Sequence, residues 1–366
     1  MTTSSVDRPV SAHGLSGTAL VPTADVSLSR KDFVPDQEVR WCPGCGDYAI
    51  LAAVQGLLPE LGLKRENIVF VSGIGCSSRF PYYLNTYGMH SIHGRAPAIA
   101  TGLAIARPDL SVWVVTGDGD ALSIGGNHLI HTLRRNVNIT ILLFNNRIYG
   151  LTKGQYSPTS ETGKITKSTP MGSIDYPFNP VSLALGAGAT FVARTIDSDR
   201  QHLTEVLAAA VTHRGAALVE IYQNCPIFND GAFDTLKDRS TAAEALIPLR
   251  HGEPIRFGTP GPDGLGSKGL VRDPRTGALE VVTVTEENVA NLVVHDAHAD
   301  DPTTALALAR LTDTGLATRA PVGIFRQVDR PTYDDLARQQ VADAKQAHGA
   351  PDLQALIDGP DSWIVS

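Results

Sequence analysis

The chain has 366 residues, of which 42% are hydrophobic and 19% are charged, as is typical of a folded globular protein. No apolar run approaches the roughly 18 residues that span a bilayer, and the first residues lack the apolar core of a signal peptide. We therefore expect a cytoplasmic protein that is not embedded in a membrane. The net charge of −7 argues against binding to nucleic acid.

Residues 1–40 are treated as an N-terminal tail, because the first 30 are rich in Ser and Thr and have no sustained periodicity. From residue 41 onward, helical patterns alternate with short apolar runs. Helices are predicted over 47–58, 96–107, 122–135, 178–193 and 200–213. Buried strands are predicted over 68–72, 112–116, 139–144 and 217–222. The spacing of these elements is that of parallel strands joined by crossover helices.

The pattern changes after residue 235. Residues 249–277 are rich in Gly, Pro and charge, which indicates a long loop or a hairpin. Strands are predicted over 279–295 and 321–326, and helices over 301–313 and 332–347. The fold class is therefore α/β, with a doubly wound, mostly parallel sheet over 41–235 and a smaller C-terminal extension over 236–366.

Polar motifs follow two of the predicted strands. Gly117-Asp118-Gly119-Asp120 ends the strand 112–116, and Asn145-Asn146 ends the strand 139–144. Open α/β sheets bind ligands at the carboxyl ends of their strands, and carboxylate and amide oxygens suit Mg²⁺. Either motif alone is a common turn. Together, at these strand ends, they resemble the thiamine diphosphate motif of GDG, a crossover helix and NN.

A dinucleotide site is the rival interpretation of VSGIGCSS at residues 71–78. Its third glycine is replaced by Ser78, and no acid lies between Glu66 and Asp109 to bind a ribose. We therefore reject a nicotinamide cofactor. The same window is electropositive and suits an anionic ligand, because it carries Arg79, Arg95, Arg107, His90 and His93.

Four cysteines, Cys42, Cys45, Cys76 and Cys225, are too few for a disulfide scaffold. Four thiolates do suit one tetrahedral metal ion or one cubane cluster. Cys76 and Cys225 each follow a predicted strand, so all four thiols can meet at the edge where the GDG and NN motifs lie. Spacing alone leaves a zinc site, a 4Fe-4S cluster, a redox disulfide and inert buried thiols open.

The longer motifs identify a family. Over roughly residues 33–366 the chain resembles the beta subunits of 2-oxoacid:ferredoxin oxidoreductases, most closely those of the 2-oxoglutarate type. The matching stretches are WCPGCGD, GIGCSSR, HGRAPAIATG, GDGDALSIGGNHLIHTLRRN, NNRIYGLTKGQYSPTS and NCPIF.

The resemblance implies oxidative decarboxylation of 2-oxoglutarate with coenzyme A to succinyl-CoA and CO2, with electrons passing through one 4Fe-4S cluster to ferredoxin. It implies that Cys42, Cys45, Cys76 and Cys225 hold the cluster. The implied Mg²⁺ ligands are Asp118, Asn146 and the carbonyl of Ile148. The further residues implied at thiamine diphosphate are Gly75, Cys76, His93, Gly117, Gly119, Asp120 and Gly150.

No acid beyond Asp118 and Asp120 is evident for activating the thiamine ring, and the family places that glutamate on its alpha subunit. We therefore expect a heterotetramer of two alpha and two beta subunits. External ferredoxin is the expected acceptor, because no cysteines remain for an additional ferredoxin-like domain.

Three further residues are predicted to be catalytic. Arg79 and Lys153 are expected to bind the substrate anion. His93 is expected to polarise the substrate carbonyl or contact the cofactor, and it is preferred to His90 for this role. Residues 151–170, with three lysines, are expected to form a lid over a dicarboxylate. The alternatives are a pyruvate or branched-chain oxoacid substrate, a non-redox thiamine enzyme, and a zinc-stabilised binding module.

Overall fold

The computed structural model describes residues 15–312, 318–349 and 351–363. The expectations for residues 1–14 and for residue 313 at the end of the predicted helix 301–313 lie outside these ranges. The strands are β1 (Ile68–Ser72), β2 (Tyr87–His90), β3 (Ser111–Gly117), β4 (Ile139–Asn145), β5 (Phe191–Ile196), β6 (Ala216–Tyr222), β7 (Leu246–Leu249), β8 (Arg256–Phe257), β9 (Lys268–Arg272), β10 (Leu279–Thr283) and β11 (Ala320–Gln327).

Helices connect most of these strands. They are α1 (Asp47–Glu60), α2 (Ala96–Ala106), α3 (Asp118–Leu122), α4 (Gly126–Arg135), α5 (Pro180–Gly186), α6 (Arg200–Thr212), α7 (Asp234–Lys237), α8 (Ala242–Ala245), α9 (Thr303–Ala309), α10 (Tyr333–His348) and α11 (Leu353–Asp358). Short 3-10 helices occur at Arg30–Phe33, Arg65–Asn67, Ser77–Tyr83 and Val289–Asn291. Within the described ranges, no helix is long and apolar enough to cross a membrane.

The main sheet has eight strands in the order β2-β1-β3-β4-β6-β5-β11-β7. Its neighbours are parallel except for the β5–β11 pair, which is antiparallel. One apolar core lies under α2, α4, α5 and α9, and a second lies under α1 and α6 on the other face. The doubly wound α/β prediction is therefore confirmed.

Burial on both faces explains the apolar runs in the central strands. Every residue of β4 is buried, because helices cover both sides of a parallel sheet. The predicted strands 68–72, 112–116, 139–144 and 217–222 match β1, β3, β4 and β6 to within one residue at every end.

Some element predictions were wrong. The helix over 178–193 stops at Gly186, and the chain turns through Gly188, with φ of +78°, into β5. The β-branched and aromatic residues of FVARTI favour this strand. The strand predicted over 279–295 ends at Thr283. The short strand β2 was not predicted, because its four residues are exposed at a sheet edge and carry no apolar run.

The C-terminal region is joined to the main sheet by hydrogen bonds. It supplies β7 and β11 to that sheet and forms a separate antiparallel sheet of β8, β9 and β10. The predicted loop or hairpin over 249–277 therefore contains two strands. Part of the expected tail also packs on the domain, since Phe33 is fully buried and the Ala24 amide donates to the Gly62 carbonyl at 2.9 Å.

A buried ion pair fastens β5 to β6 beneath the polar edge of the sheet. Arg194 Nε donates to Glu220 Oε2 at 2.7 Å, and both side chains are about 1% exposed. The other carboxylate oxygen of Glu220 accepts from the Asn145 amide at 2.7 Å. Arg194 also donates to Thr312 Oγ1 at 2.7 Å, so the same guanidinium binds the C-terminal region.

We predict that Arg194→Met lowers the free energy of unfolding by about 3–5 kcal/mol, because Glu220 is left as an uncompensated buried charge. Arg107→Met is the matched control: Arg107 pairs with Asp109 at 2.8 Å but is 55% exposed, so about 1 kcal/mol or less is expected. Urea denaturation of the two variants measures the difference. Equal losses would contradict the role assigned to the buried pair.

Candidate active site and cluster site

The candidate site lies where the neighbouring strands β1, β3, β4 and β6 end. Two cavities of about 480 and 290 Å³ meet there and share Cys76, Asn146, Gly150 and Leu151 as lining residues. We call them the Asp118 cavity and the thiol cavity. A groove of about 700 Å³ beside β7 and β11 is larger, but none of the predicted site residues lines it.

The Asp118 cavity brings together the residues predicted to bind the thiamine cofactor and Mg²⁺. Its lining includes Gly75, Cys76, His93, Gly117, Asp118, Gly119, Asp120, Asn146, Ile148 and Gly150. They come from three separate strand ends and from the loop before α2, and only the sheet order makes them neighbours. A cavity of this size, with few polar groups among apolar walls, is typical of a cofactor site.

Asp118, the first residue of α3, is buried and hydrogen-bonded. Ser157 Oγ and Thr159 Oγ1 donate to its Oδ2 at 2.5 and 2.6 Å. Burial raises the pKa of the Asp118 carboxyl to about 6, and the two hydroxyl donors oppose that rise. A divalent cation would favour the charged form of this acid, so the carboxylate fits the predicted Mg²⁺ site.

The two asparagines after β4 have different surroundings. Asn146 lines the cavity, and its Oδ1 accepts from the Ile148 amide at 3.2 Å across Arg147, whose φ is +58°. Asn145 instead lies beneath the cavity, where its Oδ1 accepts from Thr159 at 2.9 Å. Thr159 therefore joins the predicted metal carboxylate to the buried Asn145.

Asp120 holds three loops together. Its Oδ1 accepts from the Ile74 and Gly94 amides at 3.2 and 2.7 Å and contacts His93 Nδ1, while its Oδ2 accepts from Thr116 at 2.6 Å. A Cβ at Gly73 would lie 1.8 Å from this carboxylate, which explains the glycine there. Asp120 thus orients His93 at the cavity, and Nε2 is the ring nitrogen left for a ligand.

All four cysteines line the thiol cavity, and all four are free thiols. A Cβ on Gly150 would lie 3.4 Å from Cys76 Sγ and 3.6 Å from Cys225 Sγ, so the glycine leaves room between them. The indole of Trp41 donates to the Cys76 carbonyl at 2.7 Å and holds this loop in place.

The electrostatics of the thiol cavity favour a bound cation or cluster. Burial raises the pKa of Cys76 to about 12, and Asp47 and the neighbouring thiols add to the shift. Burial also raises the pKa of Cys45 well above its usual range and that of the Asp47 carboxyl to about 7. Ionisation of Cys45 and Cys76 would therefore require a positive charge nearby, which a bound metal would supply.

The thiol cavity is large enough for a cluster held by four cysteines. Among the described residues, no three His, Cys, Asp or Glu side chains are arranged to hold a single ion. A tetrahedral zinc requires sulfurs at about 2.3 Å from one point. Thiols distributed around a cavity of about 290 Å³ suit a cubane, whose irons each take one thiolate.

The predicted basic residues lie on the thiol side. Arg79 and Lys153 line the thiol cavity and not the Asp118 cavity, and Arg79 donates to the Arg40 carbonyl at 3.1 Å. Lys164 of the expected lid is tied to Glu161 at 2.9 Å. His90 lines neither cavity. Its Nδ1 lies 3.0 Å from Ser72 Oγ, within hydrogen-bond distance.

Several polar residues of the site were not predicted. Ser157 and Thr159 lie in the stretch SPTS, a run of hydroxyls shortly after the NN motif, and that was the only signal for them. Glu220 lies in an apolar strand and Gln223 follows that strand directly. Their contacts depend on which strands are neighbours, so no local pattern identifies them.

The chain is similar to several known proteins. Residues 73–221 match the family described as thiamine pyrophosphate enzyme, C-terminal TPP binding domain. The chain is 65% identical over 353 residues to the 2-oxoglutarate oxidoreductase subunit KorB of Mycobacterium tuberculosis, covering 96% of this chain and 92% of that one. It is 49% identical over 190 residues to the beta subunit of 2-oxoacid:ferredoxin oxidoreductase 1 of Aeropyrum pernix, covering 52% and 60%.

A solved structure has the same fold. The 2-oxoglutarate:ferredoxin oxidoreductase from Magnetococcus marinus, solved with 2-oxoglutarate, coenzyme A and succinyl-CoA bound, aligns with a TM-score of 0.70 and 34% identity. The alignment covers 92% of this chain and 97% of that one. This chain therefore belongs to the family of KorB subunits, the beta subunits of thiamine diphosphate-dependent 2-oxoglutarate:ferredoxin oxidoreductases.

Proposed function

We propose that this chain, with an alpha subunit, converts 2-oxoglutarate and coenzyme A to succinyl-CoA and CO2, and that electrons leave through one 4Fe-4S cluster to ferredoxin. The observation that supports this most directly is that the Asp118 cavity and the thiol cavity share four lining residues. A decarboxylating cofactor and an electron acceptor would then be in contact. Free thiols accord with a cytoplasmic enzyme.

In this proposal the Asp118 cavity holds thiamine diphosphate and Mg²⁺. Asp118, Asn146 and the Ile148 carbonyl bind the ion, and the glycines of the three loops let the backbone approach the diphosphate. The bound cofactor supplies the means of cleaving the carbon–carbon bond next to the ketone. His93, held through Nδ1 by Asp120, is oriented to meet the cofactor or the substrate carbonyl.

The positive residues of the thiol cavity favour anions there. Arg79 and Lys153 face four thiols, and the charge of Arg79 opposes the rise in the pKa of Cys76. Their charges suit both a thiolate-bound cluster and the carboxylates of a 2-oxoacid entering where the cavities meet. We retain both as substrate-binding residues in this proposal.

The site needs a second subunit. Among the described residues, the acids that line the Asp118 cavity are Asp118 and Asp120, and both already accept hydrogen bonds from this chain. Ile74 and Leu151 at its wall are each 44% exposed. An alpha subunit covering this opening would supply the glutamate that activates the cofactor, in an assembly of two alpha and two beta chains.

Co-expression with an alpha subunit tests the function. We predict coenzyme A-dependent reduction of a viologen dye with 2-oxoglutarate, at a higher kcat/KM than with pyruvate or a branched-chain oxoacid. A cluster-loaded complex that reduced the dye with none of these acids would contradict the proposal. A preference for pyruvate would change the substrate that we assign and leave the rest of the proposed function intact.

The cluster assignment predicts the metal content. Anaerobically purified complex is expected to hold about four irons and four sulfides per beta chain. Cys45→Ser and Cys225→Ser should each lose most of this iron, because each removes one thiolate ligand. Ser91→Ala, outside both cavities, is the control and should keep it. Zinc at about one per chain in place of iron would refute the cluster.

The Mg²⁺ assignment predicts a role for Thr159. Thr159→Val removes the hydroxyl that donates to Asp118 Oδ2 at 2.6 Å and lies 2.9 Å from Asn145 Oδ1, at an expected cost of about 1.5–3 kcal/mol for a hydrogen bond to a charged group. We expect the Mg²⁺ concentration for half-maximal thiamine diphosphate binding, measured by titration calorimetry, to rise about tenfold or more. Thr162→Val is the matched control, since its hydroxyl donates to the Asp175 carbonyl in the same loop. An equal change in both variants would contradict the role.

A further inference from the structure

Gln223 is a buried amide beside the thiols to which the sequence assigned no role. It follows β6 directly, precedes Cys225 by two residues and is 1% exposed. Its Nε2 lies 3.2 Å from Cys45 Sγ, within hydrogen-bond distance of a sulfur acceptor. Its backbone amide donates to the Asn145 carbonyl at 3.0 Å, which fixes the residue at the end of β4.

The orientation of this side-chain amide is determined by a second contact. The same Nε2 donates to the backbone carbonyl of Asn224. A carbonyl only accepts hydrogen bonds, so rotating the amide by 180° would set two acceptors against each other. The NH2 group has two hydrogens: one satisfies Asn224, and the other is directed at Cys45.

An ion pair between the buried Asp197 and the half-buried Lys237 supports the loop that carries this contact. The Asn224 amide donates to Asp197 Oδ2 at 2.9 Å, and Asp197 Oδ1 pairs with Lys237 at 2.7 Å. The Gly46 amide donates to the Asn224 carbonyl at 3.1 Å. These bonds join the CxxC turn to the loop after β6.

The CxxC turn packs closely against one side of the glutamine. A Cβ at Gly46 would lie 2.9 Å from Gln223 Cγ and 1.9 Å from Asp197 Oδ2. The turn after Cys45 therefore lies directly against the side chain. Losing the sulfur contact would leave one buried N–H without a partner, which is unfavourable.

We propose that Gln223 is a positioning residue that raises the reduction potential of the cluster by donating an N–H···S hydrogen bond to the Cys45 thiolate. Reduction adds one negative charge to the thiolate-bound iron, and a donor to sulfur stabilises the more negative state. Trp41 acts differently, since its indole donates to the Cys76 carbonyl and not to a sulfur. This inference rests on the proposed function, because it requires a cluster.

Gln223→Met tests it, since methionine has a similar length and no donor. Gln55→Met is the matched control: Gln55 is 5% exposed, and its amide donates to the Tyr83 carbonyl at 3.0 Å. Redox titration of the alpha–beta complex, followed by the EPR signal of the reduced cluster, gives the potentials. We expect Gln223→Met to make reduction about tenfold less favourable, equivalent to about 59 mV for one electron, and Gln55→Met to leave the potential unchanged.

An unchanged potential in cluster-loaded Gln223→Met would overturn this inference and leave the proposed function intact. Wild-type complex without iron would instead overturn the proposed function. A second measurement needs no variant: with ¹⁵N in glutamine side chains, pulsed EPR of the reduced wild-type cluster should detect coupling to one amide nitrogen. Absence of that coupling would also overturn the inference, even if Gln223→Met does not fold.

Discussion

The alignment of parallel strands is the constraint on which the site depends. β1, β3, β4 and β6 are consecutive neighbours in the sheet, so their carboxyl ends lie along one edge. Adjacent strands are separated by about 4.8 Å, and the loops that follow them are therefore in contact. One loop brings Cys76, the next Asp118, the third Asn146 and the last Cys225. The two cavities adjoin because these loops are neighbours.

Burial beneath this edge keeps its polar groups in place. Hydrogen bonds connect the predicted metal carboxylate to an ion pair in the sheet and then to the C-terminal region, through Asp118, Thr159, Asn145, Glu220, Arg194 and Thr312. The bonds from Asp118 to Arg194 are buried, where polar contacts are stronger and an unpaired group is costly, and the bond to Thr312 is partly buried. A site held in this way is preorganised before any ligand arrives.

Hydrogen bonds also hold the residues of the thiol cavity, but the charged groups there differ from those of the Asp118 cavity. Partial burial of Cys45 and Cys76 and the nearby acid Asp47 disfavour ionisation of these thiols, while Arg79 favours ionisation of Cys76. The binding of iron would resolve this conflict, since each thiolate then has a positive partner. In the described part of the chain, no acid other than Asp118 and Asp120 lines the Asp118 cavity, and exposed apolar residues lie at its wall. In the proposed function, the chain contributes the diphosphate and cluster half of a site that an alpha subunit completes.

The sequence by itself determined the fold class, the family and the motifs of the site, because apolar strands, GDG, NN and CxxC are local patterns. It did not identify β2, whose exposed residues resemble a loop, or β5, whose first residues were assigned to the preceding helix. Only the tertiary structure decided that Asp120 holds loops together, that Arg79 and Lys153 lie with the thiols, and that Gln223 faces Cys45. These roles depend on the order of strands in the sheet, which joins residues far apart in the chain and leaves no periodic signal.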